Sequence, residues 1–401
     1  MRHSSWPATA PWLRAVDLDV NVAVSRVLDD VLADRLHRAR ELAPVFADDL
    51  AQRVAHFTQK GGKRLRSQLV WRSLRACGGR DDESATAALR VGAALELLQT
   101  CALVQDDVMD GSPHRRGRPA LHADIRVQYA RTARPDRVAR FGDAAAVLAG
   151  DLALAWADDL MGETALPART AHGVRRLWSD MRTEMVAGQY LDMQAQISGS
   201  VSLPRALRSA YLKSALYSVE RPLALGAALA GADEATVGAL CSAGRCIGMA
   251  FQLRDDLNDL FADPDLTGRS AGGDVREGKP TYVLALARVR AEAADDRAAL
   301  TVLDRSFGDG ALTPSGLDDV RAVLERTGAR ATVQARISRL AAQGLRHFDG
   351  APLDREGGRH LRELLVVVGG QQEPQGVPSK GCEPEEMPAA LTRSSVQETR
   401  A

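Results

Sequence analysis

The chain has 401 residues, 45% hydrophobic and 26% charged, which is the ordinary make-up of a soluble globular protein. Lysine plus arginine and aspartate plus glutamate each number 52, and aromatic residues reach only 4%. That balance excludes a basic coat for nucleic acid and leaves few rings for stacking bases. Five cysteines (Cys77, Cys101, Cys241, Cys246, Cys382) form no CxxC pair, which argues against a disulfide framework or structural zinc and for a reducing cytoplasm. No apolar run of about 18 residues predicts a membrane span, and the opening MRHSSWPATAPWLRAV has no apolar core of a secretory leader.

In chain order, residues 1–17 read as a flexible N-terminal arm. Apolar residues then recur with helical period over 20–45, 85–110, 143–161, 174–198, 203–230, 236–261 and 282–299. Gly78-Gly79, Ser112-Pro113, Gly231, Asp263-Pro264 and Gly272-Gly273 punctuate these segments. The pattern predicts one all-α domain over 18–368. Residues 369–401, polar and rich in proline and glutamate, read as a disordered tail.

Two acidic clusters carry the chemistry. Asp106-Asp107-Val108-Met109-Asp110 closes the apolar stretch VGAALELLQTCALV. At about 100° per residue, Asp106 and Asp110 fall one turn apart on one helix face, with Gln99 and Ala102 below them. Asp255-Asp256-Leu257-Asn258-Asp259 closes a second apolar stretch, where Gln252, Asp255, Asp256 and Asp259 share a stripe. Carboxylates crowded in this way repel one another and need a counter-charge when drawn out of water. Hard divalent cations supply one, and Mg2+ prefers a few carboxylates plus phosphate oxygens. One DDxxD is as well read as a solvated helix face. Two, each beside an apolar body, point to several Mg2+ held over an anion such as a diphosphate.

Basic residues flank both clusters. Gly61-Gly62 permits a tight turn before Lys63 and Arg66, which stand three apart at a predicted helix start and can face one anion. Arg115 and Arg116 follow the first acid cluster by a short loop. Lys213, beside Ser214, lies mid-helix, and Lys279 closes a glycine-rich stretch that also holds Arg269. Each alone is an ordinary solvated side chain; their position beside the acids gives them weight. GDVREGK at 273–279 is not a nucleotide loop, because Pro280 stands where Ser or Thr is needed and helix rather than strand precedes it. No HExxH occurs, and His122 reads as structural. The chemistry must then rest on metal, carboxylates and cationic side chains.

These residues resemble the trans-isoprenyl diphosphate (polyprenyl) synthases over about residues 20 to 365. The marks are GGKRLR at 61–66, DDVMD at 106–110, RRGRP at 115–119, AVLAGD at 146–151, GQYLDM at 188–193, LKSALYSVERPL at 212–223 and FQLRDDLNDLF at 251–261. The resemblance implies a helical bundle around a deep central cavity and head-to-tail condensation of isopentenyl diphosphate with an allylic diphosphate. It implies that Asp106, Asp107, Asp110, Asp255, Asp256 and Asp259 bind three Mg2+ bridging the allylic diphosphate. Arg115, Lys213, Ser214, Gln252, Arg269 and Lys279 then correspond to the allylic side, and Lys63, Arg66, Gln99 and Arg116 to the isopentenyl diphosphate side. A homodimer is implied in the same way. The chain departs from the family pattern at Ser67, where proline is usual, and at Gln105, Ser214 and Arg269, where His, Thr and Lys are common. None of these removes a metal ligand or a necessary charge.

Product length follows from Cys101 and Ala102, five and four residues before Asp106. Both are small where fifteen-carbon synthases commonly carry an aromatic ring, so the resemblance favours geranylgeranyl diphosphate, with Trp156 or Leu152 as candidate floor. Farnesyl or longer products are the alternative. A class I terpene cyclase would have one DDxxD and no GGKRLR, and a non-catalytic subunit of a heterodimeric synthase would have lost aspartates that are all present here.

Overall fold

The computed structural model describes residues 11–198, 202–263 and 271–370. Its centre is α6 (Asp82–Met109), which is apolar nearly all round and buried along most of its length. The Asp81 carboxylate caps its start on the Ser84 N–H, and Asp82 and Glu83 complement the positive end of the helix. Against α6 pack α5 (Leu65–Ala76), α8 (Pro135–Glu163) and α2 (Val20–Leu42). α8 approaches closely because it meets α6 with Ala146, Ala149, Gly150 and Ala153; a Cβ on Gly150 would stand 2.6 Å from the Gln105 side chain.

The second centre is α12 (Glu234–Phe261), which packs on the helix Ala329–Asp349 and on a ten-residue π-helical segment, Tyr211–Glu220. That segment continues α10 (Leu203–Ala210) and passes into α11 (Arg221–Ala230). Three glycines admit its backbone. A Cβ on Gly188 of α9 (Ala171–Ser198) would lie 2.4 Å from the Lys213 nitrogen, one on Gly244 2.8 Å from the Glu220 Cα, and one on Gly248 2.6 Å from the Ala215 carbonyl oxygen. The chain closes with the helix Arg355–Val368 on α5, where Gly357 meets the Arg75 carbonyl.

The fold is all-α as expected. Among the described residues the strands are His114–Arg115 and Arg118–Pro119, paired antiparallel. One described helix, α6, is long and apolar enough to cross a membrane, and 78% of its most apolar window is buried inside the protein.

Three expectations need correction. Residues 11–17 are not a loose arm: Pro11–Leu18 forms a helix, α1, that buries Trp12, Leu13 and Val16. It is tied down because Trp12 Nε1 donates to Asp82, while Asp17 accepts from Trp71 Nε1 at 2.8 Å and from Arg75. The helix is only eight residues long, too short for its helical period to stand out in the sequence. The predicted helix over 20–45 stops at Leu42, because Pro44 opens a new turn. The predicted helix over 282–299 is two helices, Tyr282–Ala293 and Arg297–Ser306; Asp295 turns the chain with φ 48° and Asp296 caps the second through the Ala299 N–H. Residues 1–10 and 371–401, which include most of the predicted tail and Cys382, lie outside the described residues.

Asp17→Ala leaves the buried Trp71 N–H without its acceptor and removes the Asp17 bonds of Arg75, which keeps the Gly79 carbonyl. It is expected to lower unfolding free energy by about 2–4 kcal/mol, read as a shifted urea midpoint at unchanged helical circular dichroism.

Candidate active site

The two acid clusters end α6 and α12, and the structure brings them together. After Met109 the chain turns through Gly111 (φ 65°) into the two-stranded hairpin, with Arg116 (φ 53°) and Gly117 (φ 72°) as its two-residue turn. Positive φ at both positions is what a right-twisted hairpin requires. The turn sends the adjacent arginines to different tasks. Arg115 folds back on the acids, its Nε 2.7 Å from Asp107 Oδ1 and its Nη2 3.3 Å from Asp106 Oδ2. Arg116 leans the other way, over Gly62 and toward the Phe57 ring at 5.8 Å.

Two lysines cross between the elements. Lys213 Nζ lies 3.1 Å from Asp106 and 2.8 Å from Asp192 of α9. Lys279 Nζ lies 2.6 Å from Asp110 and 2.6 Å from Glu277, with Asp274 at 4.0 Å, so it links the end of α6 to the stretch after α12. That stretch is itself anchored on the second cluster: Asp259 accepts the N–H groups of Gly273 at 3.2 Å and Asp274 at 3.1 Å. Within the second cluster Asp256 is buried and accepts from Gln252 at 2.7 Å, while Asp255 is exposed.

The charges are under strain. Burial pushes the Asp256 carboxyl up to about 7, and the neighbouring Asp255, Asp192 and Asp259 add to this against the Gln252 bond. Burial likewise raises Asp110, with Asp106 adding, and Asp259, where the two backbone N–H bonds oppose it. Burial lifts Asp107 to about 6 despite Arg115. Asp274 is raised well above the usual range by burial and by Asp259. Burial also works against the charge on Asp106, but Lys213, Lys279 and Arg115 outweigh it and hold that carboxyl below its ordinary value. Burial opposes the charge on both lysines too, and the acids reverse it: Asp106 and Asp192 raise Lys213, while Asp274, Asp110 and Glu277 raise Lys279.

Among the described residues no three acid, histidine or cysteine side chains already stand in a metal-binding arrangement; the lysines lie between the carboxylates. The donor set nonetheless fits a hard divalent cation. It is all carboxylate oxygen, Asp110 Oδ1 is buried without a partner, and three cationic side chains face more carboxylates than they neutralise.

A second basic feature lies beside the first. The turn at 61–64 leads into α5, with Arg64 in the left-handed region (φ 47°) and its side chain tucked in to donate to the Gln59 carbonyl. Lys63 is exposed. The helix starts only at Leu65, so Lys63 and Arg66 do not share a helical turn, contrary to expectation. Arg66 instead reaches the π-helical segment, its Nη2 2.7 Å from Ser218 Oγ and its guanidinium 4.3 Å from the Tyr217 ring centre. Gln99 is half-buried, its Oε1 without a partner.

Of the remaining expected residues, Ser214 and Ala102 are half-buried, and Cys101 is packed into the same core as Trp156. Arg269 lies outside the described residues. Sequence reasoning missed Gln189, whose Nε2 donates to Asp106 at 3.0 Å, and Asp192, although both stand in the quoted GQYLDM. It also missed Asp274 and Glu277, in the stretch set aside as a false nucleotide loop. The available signal was polar residues spaced at i,i+3 beside a glycine or a lysine.

Comparison with known proteins places these features in context. A family model described as polyprenyl synthetase matches residues 47–313. A short chain isoprenyl diphosphate synthase of Methanothermobacter thermautotrophicus is 30% identical over 73% of this chain and 82% of its own length. A geranylgeranyl diphosphate synthase of Mycobacterium tuberculosis is 35% identical over 60% of this chain and 62% of its own. Among solved structures, a geranylgeranyl pyrophosphate synthase from Corynebacterium glutamicum, complexed with isoprenyl diphosphate and magnesium, superposes with a TM-score of 0.83 and 34% identity, covering 88% of this chain and 98% of that one.

Gly188→Ala puts a methyl group against the backbone that carries Lys213. It is expected to destabilise by about 1–3 kcal/mol. Gly238→Ala, whose Cβ meets nothing within 4 Å in the same helical setting, should be neutral or stabilising by about 0.5–1 kcal/mol. Urea denaturation of the pair checks this.

Proposed function

The chain belongs to the polyprenyl synthetase family, and on that premise we propose that it joins isopentenyl diphosphate head-to-tail to an allylic diphosphate, giving geranylgeranyl diphosphate. It is a prenyltransferase. The observation that carries the reading is the linked pair of acid clusters, with Lys213 on Asp106 and Lys279 on Asp110.

In this reading Asp106, Asp107, Asp110, Asp255, Asp256 and Asp259 hold Mg2+, three ions per site, and the metal when bound supplies the positive charge that a departing pyrophosphate needs. Asp107 acts in part through Arg115, which it locks in place. Arg115, Lys213 and Lys279 then bind the allylic diphosphate, exchanging carboxylate partners for phosphate oxygens. Arg269 and Ser214 belong to the same side. Preorganised cations are effective here because they are already aimed where negative charge gathers as the C–O bond breaks. Lys63, Arg66, Arg116 and Gln99 grip the second diphosphate and hold its double bond beside the allylic carbon, so that one carbon–carbon bond forms as pyrophosphate leaves. The proton released from the condensed product passes to pyrophosphate. The Gln252 amide, fixed on Asp256, steadies the positive intermediate.

Cys101 is packed in the core, whereas Ala102 is half-buried below Asp106, which supports Ala102 as the position that the growing chain passes. The exposed apolar residues Phe141 and Leu148 of α8 and Val186 and Tyr190 of α9 support pairing of two copies through these helices. The described cysteines are free thiols, in keeping with a cytoplasmic setting.

Incubation with Mg2+, isopentenyl diphosphate and dimethylallyl, geranyl or farnesyl diphosphate should release pyrophosphate and give a twenty-carbon product by mass spectrometry. Absence of product with every primer refutes the reading. Ala102→Phe is expected to shorten the main product; unchanged length removes Ala102 from the chain's path.

A further inference from the structure

The turn that presents Lys63 and leads into Arg66 of α5 has no regular structure of its own, yet it sits on a buried polar seam. Glu96 of α6, 7% exposed, lies directly beneath it. Glu96 Oε1 accepts from Ser67 Oγ at 2.8 Å. Its Oε2 lies 3.4 Å from where a Cβ on Gly61 would be, so the same carboxylate touches both ends of the turn. Ser67, 1% exposed in the first turn of α5, is also 2.9 Å from the Gly92 carbonyl, and a Cβ on Gly92 would press on it at 3.2 Å. One turn farther along α6, Thr100 Oγ1 and Thr58 Oγ1 are 2.8 Å apart and buried, which ties the end of α4 (Gln52–Gln59) to the same helix face. Gln99 lies on α6 between Glu96 and Thr100.

We propose that Glu96, acting through Ser67, is a positioning residue for isopentenyl diphosphate: it sets where Lys63 and Arg66 project relative to Gln99. The inference rests on the reading of this turn as the grip on that substrate. A buried carboxylate contributes here because a polar seam in low dielectric holds one geometry and penalises departures from it. Ser67 is also where this chain differs from the proline usual in the family. A proline suits a first helical turn but has no hydroxyl to give, so the bond to Glu96 is a device of this chain. Displacing an anchored diphosphate by a fraction of an ångström weakens its capture without touching the acid clusters.

Steady-state kinetics on the full-length enzyme, varying each diphosphate in turn, test this. Glu96→Ala and Ser67→Ala should each raise KM for isopentenyl diphosphate about five- to tenfold. KM for the allylic diphosphate and kcat should stay within about twofold. Glu96→Gln, which keeps an oxygen for Ser67 to donate to, should behave like the wild type. A parallel rise in both KM values marks general loosening and overturns the proposal. So does an unmoved isopentenyl diphosphate KM in Ser67→Ala and Glu96→Ala when Lys63→Ala raises it. If Lys63→Ala and Arg66→Ala also leave that KM unmoved, the reading of the turn itself has failed, and the positioning role falls with it.

Discussion

Everything in this molecule is arranged around an unfavourable act, the removal of many carboxylates from water at one place. The ends of α6 and α12 carry two DDxxD clusters, and Asp192, Asp274 and Glu277 join them. Such a concentration is tolerated only with cations close by. Lys213, Lys279 and Arg115 reach in from three separate elements to provide them. Asp110, Asp256, Asp259 and Asp274 are raised first by burial and then by neighbouring acids, which these three cations do not offset. On the proposed function, a magnesium-loaded diphosphate complements such a site, bringing metal for the acids and phosphate oxygens for the lysines.

Packing places those cations. Lys213 sits near the start of the π-helical segment, held between α9 and α12 by backbone contacts at Gly188, Gly244 and Gly248. An α-helix of the same sequence would turn its side chains through a different angle per residue, so the wider winding and the glycines that admit it together aim Lys213 at Asp106 and Asp192. Arg66 joins this arrangement from the other side, through Ser218 and Tyr217 of the same segment. Lys213 and Arg66 therefore lean on one piece of backbone.

Much of this was legible in the amino-acid order. The apolar run of α6, ending in acids, announces both a central helix and a charged mouth, since period and composition agree over many turns. The DDxxD pair is legible for the same reason. The helix at Pro11–Leu18 was not, because a helix of about two turns gains its stability from Trp71 and Arg75, far along the chain. Nor was the π-helical winding, which follows from close approach of three helices rather than from local preference. Asp192 and Glu277 look like ordinary surface acids until the fold sets a lysine beside each. Lys63 and Arg66 were assigned to one turn because spacing alone cannot reveal that Arg64 takes a left-handed conformation between them.

The hairpin after α6 deserves its place in this picture for what it does to neighbours in sequence. Arg115 and Arg116 are consecutive, yet one serves the acid mouth and the other leans over Gly62. Their division of labour is held by a two-residue turn and two pairs of strand positions. Arg115 is the last strand position and Arg116 the first turn position, so inserting or deleting a single residue there would shift the register that separates the two guanidiniums. The loop is thus intolerant of length change even though its side chains face solvent in part, because Arg115 and Arg116 depend on the same small ribbon.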